Sequence, residues 1–323
     1  MDGKIKLMID RQPDYFSLLR LKGDYFLLVA LDNDKIVGAI AYHIKQVYIN
    51  HSPEITGYIS DLKVLPEYRN SLTTYRLLKA IVEIIEQQKI EINFILTAKG
   101  NELVAKVLEG RAGLPLAKKV CEFYVFQFLP KIKPGNSKYS IVPFQEKYRK
   151  PSIAFLNSRN SKLQFGTLVD HKEKIEGDQA WMIFHDSQII GFVSVIDMEP
   201  YKQNVVMNIP LSVTWQLKLY RLFFPSFQPP KINKPIRMHH VKHLAVAKGN
   251  MDCTIALIHQ ARHYAHQKGM TFLSYGLDKK NELTKKIQPL STAKFESEGF
   301  VLQRPKMKTV NISMPFHENF YLV

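Results

Sequence analysis

The sequence predicts an α/β (α+β) protein in which one pattern of strands and helices occurs twice. The chain has 323 residues, which is long for a single hydrophobic core and suggests two domains. Its hydrophobic content of 46%, with 11% aromatic residues, is typical of globular proteins. An internal repeat that spans most of the chain is the third observation behind this prediction.

The repeat begins with a β-hairpin. Residues 29–44 read VALDNDKIVGAIAYHI, and residues 182–197 read MIFHDSQIIGFVSVID. Each segment has an apolar strand, a polar turn, and a second apolar strand that carries Gly38 or Gly191 at the same place. Two apolar runs separated by a short polar turn predict a hairpin in each copy.

A strand, a loop and a helix follow the hairpin in both copies. The strand LKV at 62–64 matches LAV at 244–246, and KGNEL at 99–103 matches KKNEL at 279–283. The strand leucine and the asparagine are 39 residues apart in one copy and 37 in the other. Because shared order and spacing rarely arise by chance, we interpret the repeat as a duplication.

Hydrophobic periodicity predicts a helix after the loop in each copy. Apolar residues recur three and four positions apart, as expected for one buried helical face. They are Leu77, Leu78, Ile81, Ile84 and Ile85 in the first copy, and Ile255, Ile258, Ala261 and Ala265 in the second. Ser71 or Thr73 is expected to cap the first helix, and Asp252 the second. The apolar runs 92–98 and 271–277 predict buried strands.

The segment PKIKPGNSK at 130–138 has the composition of a linker. It divides the chain into predicted domains 1–133 and 134–323. The second domain carries an insertion, roughly 215–235, that is aromatic, basic and rich in proline. It is either a loop that packs on its own domain or a lid or partner surface.

Charge and cysteine content limit the partners and the compartment. The net charge of +16, from 45 Lys and Arg against 29 Asp and Glu, favours polyanions, but the charge is dispersed, so nucleic acid is a possible partner that is not favoured. Two cysteines, Cys121 and Cys253, indicate a reducing, cytoplasmic location. No apolar run approaches the roughly 18 residues that cross a bilayer, and we expect neither a signal peptide nor a membrane partner.

Histidines at 259, 263 and 266 share one helical face, and HHVKH occupies 239–243. Two histidines four residues apart can hold zinc. No HExxH motif accompanies them, and no cysteine or carboxylate follows at ligand spacing. We therefore expect a solvated or partly packed histidine edge and no metal.

The stretch LKVLPEYRNSLTTYRLLKAI at 62–81 resembles the coenzyme-binding segment of the GNAT superfamily of N-acetyltransferases. NELVAKVL at 101–108 resembles the short helix that follows it, and GYISDLKVLPEYR and GRAGLP resemble the tandem members. The resemblance covers residues 20–130, and 180–300 mainly through the repeat. It implies two GNAT-like domains, each with a mixed, mostly antiparallel sheet flanked by helices.

The resemblance implies a site for acetyl-CoA, or a related acyl-CoA, as co-substrate in the first domain. The strand at Leu62, Lys63 and Val64 would lie beside the pantetheine arm, and Arg69 would contact phosphate. The backbone amides of the loop would bind the diphosphate at the helix start. Those loop residues are Asn70, Ser71, Leu72, Thr73 and Thr74, and Asn101 begins the following short helix.

The loop departs from the family pattern, because Leu72 and Thr74 stand where small residues are usual. If position 72 must be left-handed, leucine costs about 1–2 kcal/mol there, which weakens a coenzyme site without abolishing it. In the second copy, loop 247–252 has no arginine, and Asp252 places a negative charge where phosphate would bind. That domain is expected to supply substrate contacts or scaffold.

The catalytic residues also depart from the pattern. Many members use a tyrosine seven residues after the short-helix asparagine as the acid for the leaving thiolate, but this chain has Leu108 there. Tyr124 is the candidate replacement. Asp61, just before the strand leucine, is the candidate base, with Glu54 a weaker alternative.

The sequence thus favours an N-acyltransferase that moves an acetyl or related group from acyl-CoA to a small-molecule or peptide amine. Two alternatives keep the fold. One is an aminoacyl transferase that uses charged tRNA, which would suit the basic charge. The other is a catalytically degenerate pair of domains that acts as a binding module.

Overall fold

The computed structural model of the chain describes residues 6–69, 71–101, 110, 115–223, 227–302 and 308–323. The strands are β1 (Lys6–Arg11), β2 (Asp24–Asp32), β3 (Lys35–Ile49), β4 (Ser52–Val64), β5 (Asn93–Ala98), β6 (Ala117–Phe128), β7 (Ile141–Pro143), β8 (Gly166–Thr167), β9 (Gln179–His185), β10 (Gln188–Asp197), β11 (Lys202–Asn208), β12 (Met238–Val246), β13 (Phe272–Asp278) and β14 (Ala293–Leu302). The α-helices are α1 (Tyr15–Leu21), α2 (Thr73–Gln88), α3 (Arg149–Asn160), α4 (Leu211–Phe223), α5 (Cys253–Gln267) and α6 (Glu282–Ile287).

Twelve of these strands form one sheet that runs through both halves of the chain. Its order is β2-β3-β4-β5-β14-β6-β13-β12-β10-β9-β7, and β8 pairs with β3. The pairs β4–β5 and β12–β13 are parallel, whereas the other pairs are antiparallel. The predicted mixed, mostly antiparallel sheet is confirmed. Strands β1 and β11 form a separate two-stranded sheet.

The halves exchange strands at the centre of the sheet. β14, the last strand of the C-terminal half, lies between β5 and β6 of the N-terminal half. β6 in turn lies between β14 and β13. Neither half therefore completes its sheet alone, although the chain divides by sequence near residue 133.

The two copies predicted from the sequence have matching local geometry. Both hairpins turn through two residues with positive φ, Asn33 and Asp34 in the first and Asp186 and Ser187 in the second. Two consecutive left-handed residues give the turn that matches strand twist. Gly38 lies under Leu77 of α2, and Gly191 lies under Leu257 of α5 at the corresponding place.

The predicted helices and buried strands are present. Helix α2 buries Leu77, Leu78, Ile81 and Ile85 against the sheet, and α5 likewise buries Ile258, Ala261 and Ala265. The capping predictions were wrong. Leu72, not Ser71 or Thr73, precedes α2, and no side chain caps that helix. Asp252 precedes α5 without accepting a hydrogen bond from its first turn, because its carboxylate pairs with Lys286 at 2.9 Å.

The linker runs along α5 and covers its histidine edge. The amide of Lys131 donates to the carbonyl of Arg262 (3.1 Å), and its carbonyl lies 3.2 Å from Nδ1 of His263. Gly135 packs against His259, whose pKa falls to about 4 because of burial and the nearby Lys131. These histidines therefore contact protein on one side. Among the described residues, no cluster of His, Cys, Asp and Glu has the makings of a metal site.

Part of the predicted insertion forms helix α4. The chain enters it from β11, and Phe227, just beyond it, is buried against Phe272. Within the described part of the chain, no helix combines the length and the apolar character needed to span a bilayer.

Separating the chain at the linker tests the strand exchange. We expect fragments 1–133 and 134–323 expressed alone to lack a cooperative thermal transition, because β5, β6 and β13 each lose a hydrogen-bonding neighbour or gain an open edge. Co-expressed fragments should restore the transition. Independent cooperative unfolding of fragment 1–133, measured by circular dichroism, would contradict the exchange.

Candidate functional site

The candidate site begins where β4 separates from β5. These strands pair only from Gly57–Ile59 to Asn93–Ile95, and β4 continues to Val64 paired with β3 alone. A buried hydrogen bond from Tyr42 to Asn93 (2.7 Å) fixes the first of these pairs, Gly57 with Asn93. It lies so close to Gly57 that an added Cβ would be 2.2 Å from either group. β4 and β5 are therefore held together at the start of β5, and the sheet is open between them beyond Ile59 and Ile95.

The two faces of β4 have different environments. Ile59, Leu62 and Val64 point into the core beneath α2. Tyr58 points to the opposite face. Asp61 has a φ of 54°, at an irregularity in the pairing of β3 with β4. A bulge of this kind re-aims side chains locally, and it brings Asp61 to the face away from α2.

The loop after β4 ends at the start of α2, where a helix offers unpaired amides. Ser71 Oγ accepts a hydrogen bond from the amide of Thr73 (3.2 Å), but Leu72 is the residue that precedes the helix and no side chain caps it, so the predicted serine cap is absent. Within the described chain, no hydrogen bond is recorded for the amides of Leu72 and Thr74. The Thr74 hydroxyl is buried and likewise has no recorded partner. The first turn of α2 therefore retains donors for an anion.

Leucine at position 72 does not strain this loop. Its φ is −72° and its ψ is 0°, which is right-handed, so the left-handed cost considered from the sequence does not arise. The side chain is 62% exposed. It lies at the rim of a cavity of about 630 Å³ that is also lined by Leu31, Tyr68 and Arg76. Arg69 is exposed, with Nε 3.4 Å from the carbonyl of Val64, and Asn70 lies outside the described residues.

Asp61 is the centre of a buried charge cluster. Its carboxylate lies 2.5 Å from Arg11, 3.4 Å from Lys22 and 3.7 Å from Lys63. Burial alone would raise the pKa of Asp61, but Lys22, Arg11 and Lys63 outweigh burial and lower it. A carboxylate with a lowered pKa is a weaker base, and this one is occupied by three cations. Its position beside the opening fits the prediction, whereas its pKa does not favour the predicted role as a base.

A short polar chain connects Asp61 to a histidine. His43 Nε2 lies 3.0 Å from Ser60 Oγ, which donates to Asp61 at 3.4 Å. Burial and the neighbouring Lys22 lower the pKa of His43 to about 3, so its ring is neutral. Nδ1 is buried, and no partner is recorded for it in the described chain.

A second cavity of about 550 Å³ lies on this face of β4, between the two halves of the chain. Its wall from the first half includes His43, Lys45 and Tyr58. Its wall from the second half includes Glu173, Lys242 and Glu318. His43 and Lys45 lie on β3, and Tyr58 lies on β4. The cavity therefore lies against the face of these two strands that is opposite to the loop and α2.

Glu318 is the buried carboxylate of this cavity with capacity to bind a cation. The residue is 6% exposed, and Oε1 accepts from the amide of Asn319 (2.9 Å) and lies 3.8 Å from Lys45. Oε2 is buried, and no hydrogen-bond partner is recorded for it among the described residues. A buried unpaired carboxylate oxygen is costly unless a ligand satisfies it.

Glu173, on the other wall, is already paired. Its carboxylate lies 3.1 Å from Lys242 and 3.2 Å from His243. Burial raises the pKa of Glu173, but the hydrogen bond from His243 and the charge of Lys242 lower it to about 2. The carboxylate of Glu173 is therefore neutralised by its partners, whereas Glu318 has one oxygen available to a ligand.

The other predicted residues are dispersed. Tyr124 lies on β6, with the ammonium groups of Lys294 and Lys279 4.0 and 4.7 Å from its ring centre. β14 separates it from β5, so it is two strands, about 10 Å, from the opening. Glu54 forms a surface ion pair with Lys308 (2.9 Å). Asn101 is exposed, and Leu108 and its short helix lie outside the described residues.

The corresponding place in the second copy is filled. β12 and β13 pair only from Met238–His240 to Phe272–Ser274, as β4 and β5 do. Beyond these pairs, Tyr275 and Val246 belong to the hydrophobic core. Cys253, the first residue of α5, is also buried there, and burial raises the pKa of its thiol. Lys242, on β12 of this copy, lines the cavity, and His243 pairs with Glu173 on the same wall.

Reasoning from the sequence missed Arg11, Lys22, His43 and Glu318. Arg11, Lys22 and Glu318 lie outside the repeated segments, whereas His43 lies within the repeated hairpin at 29–44. His43 carries the one available signal, since a polar residue interrupts an apolar strand there. The remaining three are brought to β4 by the N-terminal strand, the end of α1 and the C-terminal segment.

Removing the charge of Asp61 tests the cluster. We expect Asp61→Asn to lower the free energy of unfolding at pH 7 by about 3 kcal/mol, because Arg11 and Lys22 would remain buried without a counter-charge. Urea unfolding measures the difference. Asp252→Asn is the control, and the loss of its exposed ion pair should have little effect on the free energy of unfolding.

The pH dependence of that difference follows from the pKa of Asp61. Since the folded-state pKa is lowered from 3.8, the contribution is complete above 3.8 and is lost as the pH falls further through the folded-state value. The two proteins should therefore converge in stability only below pH 3.8. Convergence already near neutral pH would contradict the ion-pair assignment.

Comparison with known proteins identifies the fold. Residues 5–111, about a third of the chain, match the model of the acetyltransferase (GNAT) family. No curated protein sequence matches the chain significantly.

Three similar solved structures are of Saccharomyces cerevisiae N-myristoyltransferase. One, with bound myristoyl-CoA, has a TM-score of 0.58 at 11% identity and covers 97% of this chain and 77% of that chain. A second has a TM-score of 0.53 at 12% identity, covering 87% and 72%. A third, which also holds inhibitors, has a TM-score of 0.52 at 10% identity, covering 87% and 70%. The GNAT resemblance expected from the sequence is thereby confirmed for residues 5–111, and the chain shares its overall fold with N-myristoyltransferase.

Proposed function

We propose that this protein transfers an acyl group from acyl-coenzyme A to an amine. The observation that carries the proposal is the position of β4. One side of the strand faces an opened sheet and the uncapped start of α2, and the other faces a cavity with a buried, partly unpaired carboxylate. A thioester held at the opening and an amine held in the cavity would meet at Ser60 and Asp61.

The coenzyme would bind in front of β4. The amides of Leu72 and Thr74 and the buried hydroxyl of Thr74 would donate to the diphosphate, at a helix terminus that carries about half a positive charge. Arg69 would add a charge-assisted hydrogen bond. The unpaired edge of Leu62–Val64 would accept and donate hydrogen bonds to the amide groups of the pantetheine arm. The right-handed conformation of Leu72 supports a usable loop.

The amine would bind behind β4. Glu318 would hold its ammonium group through Oε2 and take up the first proton that the ammonium group must lose. The amine nitrogen then bonds to the thioester carbonyl carbon, and the carbon–sulfur bond breaks. The second proton leaves the nitrogen and is taken up by the thiolate, which departs as free coenzyme. We assign proton uptake to Glu318 rather than Asp61 because the three cations hold the pKa of Asp61 down.

Asp61 would hold neighbouring groups of this site in place and would not itself take up a proton. Its ion pairs with Arg11 and Lys22 anchor β1 and α1 against the back of β4, and its bond from Ser60 orients His43. The neutral His43 ring can accept a hydrogen bond from the incoming amine. Tyr124 as the acid for the thiolate stays a prediction that its distance from the opening does not support.

The acceptor and the acyl group are open within this proposal. A peptide or small-molecule amine fits a cavity of about 550 Å³. An acetyl group is expected from the family of residues 5–111, while the structural neighbours hold myristoyl-CoA. Two free, buried cysteines support a reducing, cytosolic location.

Thermal shift with a series of acyl-CoA esters tests the coenzyme site. At 100 times its Kd a ligand stabilises the folded state by about 2.7 kcal/mol, so we expect acetyl-CoA, or a longer ester, to raise the Tm by a few degrees. Arg69→Ala should weaken binding about tenfold. Arg221→Ala, on α4, is the matched control and should bind as the unaltered protein does. No shift with any ester at millimolar concentration would favour the binding-module alternative.

Glu318→Gln tests the amine site separately. The amide keeps the shape and the bond from Asn319 but cannot take up a proton, so kcat/KM should fall at least about 100-fold while coenzyme affinity is unchanged. Glu83→Gln, on the exposed face of α2, should retain full activity. Retention of kcat in Glu318→Gln would remove the assignment and leave the coenzyme site standing.

A further inference from the structure

Helix α4 presents an exposed apolar stripe. Leu211, Trp215, Leu219 and Leu222 are 81, 72, 60 and 74% exposed. At 3.6 residues per turn these four positions fall within an arc of about 80° on one side of the helix. Met207, at the end of the strand that leads into the helix, is also 46% exposed. Large apolar side chains aligned in this way mark an interaction surface.

The charges around the stripe have one sign. Between Glu199 and Asp252 the sequence has eight Lys and Arg and no Asp or Glu. Lys218 and Arg221 are exposed on α4 itself, and Lys231 and Lys234 are exposed just after it. No ion pair is recorded for these four among the described residues. Lys218 Nζ lies 5.3 Å from the ring centre of Trp215, so this ammonium group borders the stripe directly.

We propose that α4 is a docking helix for an anionic membrane surface. The helix would lie in the plane of the interface, with Leu211, Leu219 and Leu222 among the acyl chains and Trp215 at the headgroup level. Lys218 and Arg221 would extend along the helix to lipid phosphates. A helix that lies in the plane of the interface needs no membrane-spanning segment. The prediction of no membrane partner considered only spanning segments, so it does not bear on this contact.

A lipid surface fits the stripe better than the other polyanion considered, nucleic acid. Phosphates of nucleic acid would satisfy the four basic residues, but they would leave three leucines in water. A lipid surface satisfies both the leucines and the basic residues, since apolar burial and phosphate contact occur at one interface.

The second tryptophan of the chain, Trp181, is 5% exposed in the core. Trp215 is therefore a natural reporter for this helix.

Fluorescence of the full chain with lipid vesicles tests the proposal. Adding vesicles of phosphatidylcholine with about 30% phosphatidylserine should shift the Trp215 emission to shorter wavelength and carry the protein into the vesicle pellet. Vesicles of phosphatidylcholine alone should bind at least tenfold more weakly, and added salt should weaken binding to the anionic vesicles.

Paired variants separate the two components. Leu219→Ser/Leu222→Ser and Lys218→Gln/Arg221→Gln should each reduce partitioning at least tenfold. Their controls, Ile55→Ser/Leu116→Ser and Lys79→Gln/Lys162→Gln, change exposed residues elsewhere and should partition as the unaltered protein does.

Two results would overturn the proposal. One is the absence of pelleting and of an emission shift with anionic vesicles. The other is binding to RNA that depends on Lys218 and Arg221 but not on Leu219 and Leu222, because that would assign the surface to nucleic acid. Acyltransferase activity plays no part in these readouts, so they stand apart from the proposed reaction.

Discussion

The exchange of β6 and β14 is the constraint on which the rest of this structure depends. Each strand hydrogen-bonds to neighbours from the opposite half, so the twelve-stranded sheet is continuous. A duplicated unit would otherwise have two sheet edges to protect, and edges are where unwanted pairing begins. Exchange removes both edges at the centre and fixes the relative position of the halves. The cavity behind β4 exists because that position is fixed.

The buried charges behind β4 follow from the same arrangement. Asp61 would be an unfavourable buried anion without Arg11 and Lys22, and those cations would be unfavourable without Asp61. The cluster therefore links β1 and the end of α1 to β4, close to where β4 leaves β5. Glu318 differs from Asp61 in that one oxygen keeps no recorded partner among the described residues. That contrast is what separates an anchoring carboxylate from one available to a ligand.

Duplication also explains why the two loops differ. Both copies keep the hairpin, the glycine beneath the helix, and the short parallel pairing at the base of the opening. In the second copy the opening is filled by core side chains, and Asp252 pairs with Lys286 instead of leaving the helix start free. The C-terminal half also supplies one wall of the cavity and the inserted helix α4. The two halves have the same scaffold and different surfaces.

The sequence by itself determined the duplication, the hairpins, the helices α2 and α5, and the place of the loop, because these depend on local periodicity and spacing. The resemblance extended this to the fold class. Only the tertiary structure decided that β14 enters the first half, that Leu72 is unstrained, and that Asp61 is held by Arg11 and Lys22. It also brought His43 and Glu318, 275 positions apart, to one cavity. Contacts between distant segments depend on how whole elements pack, and no local pattern in the chain records them.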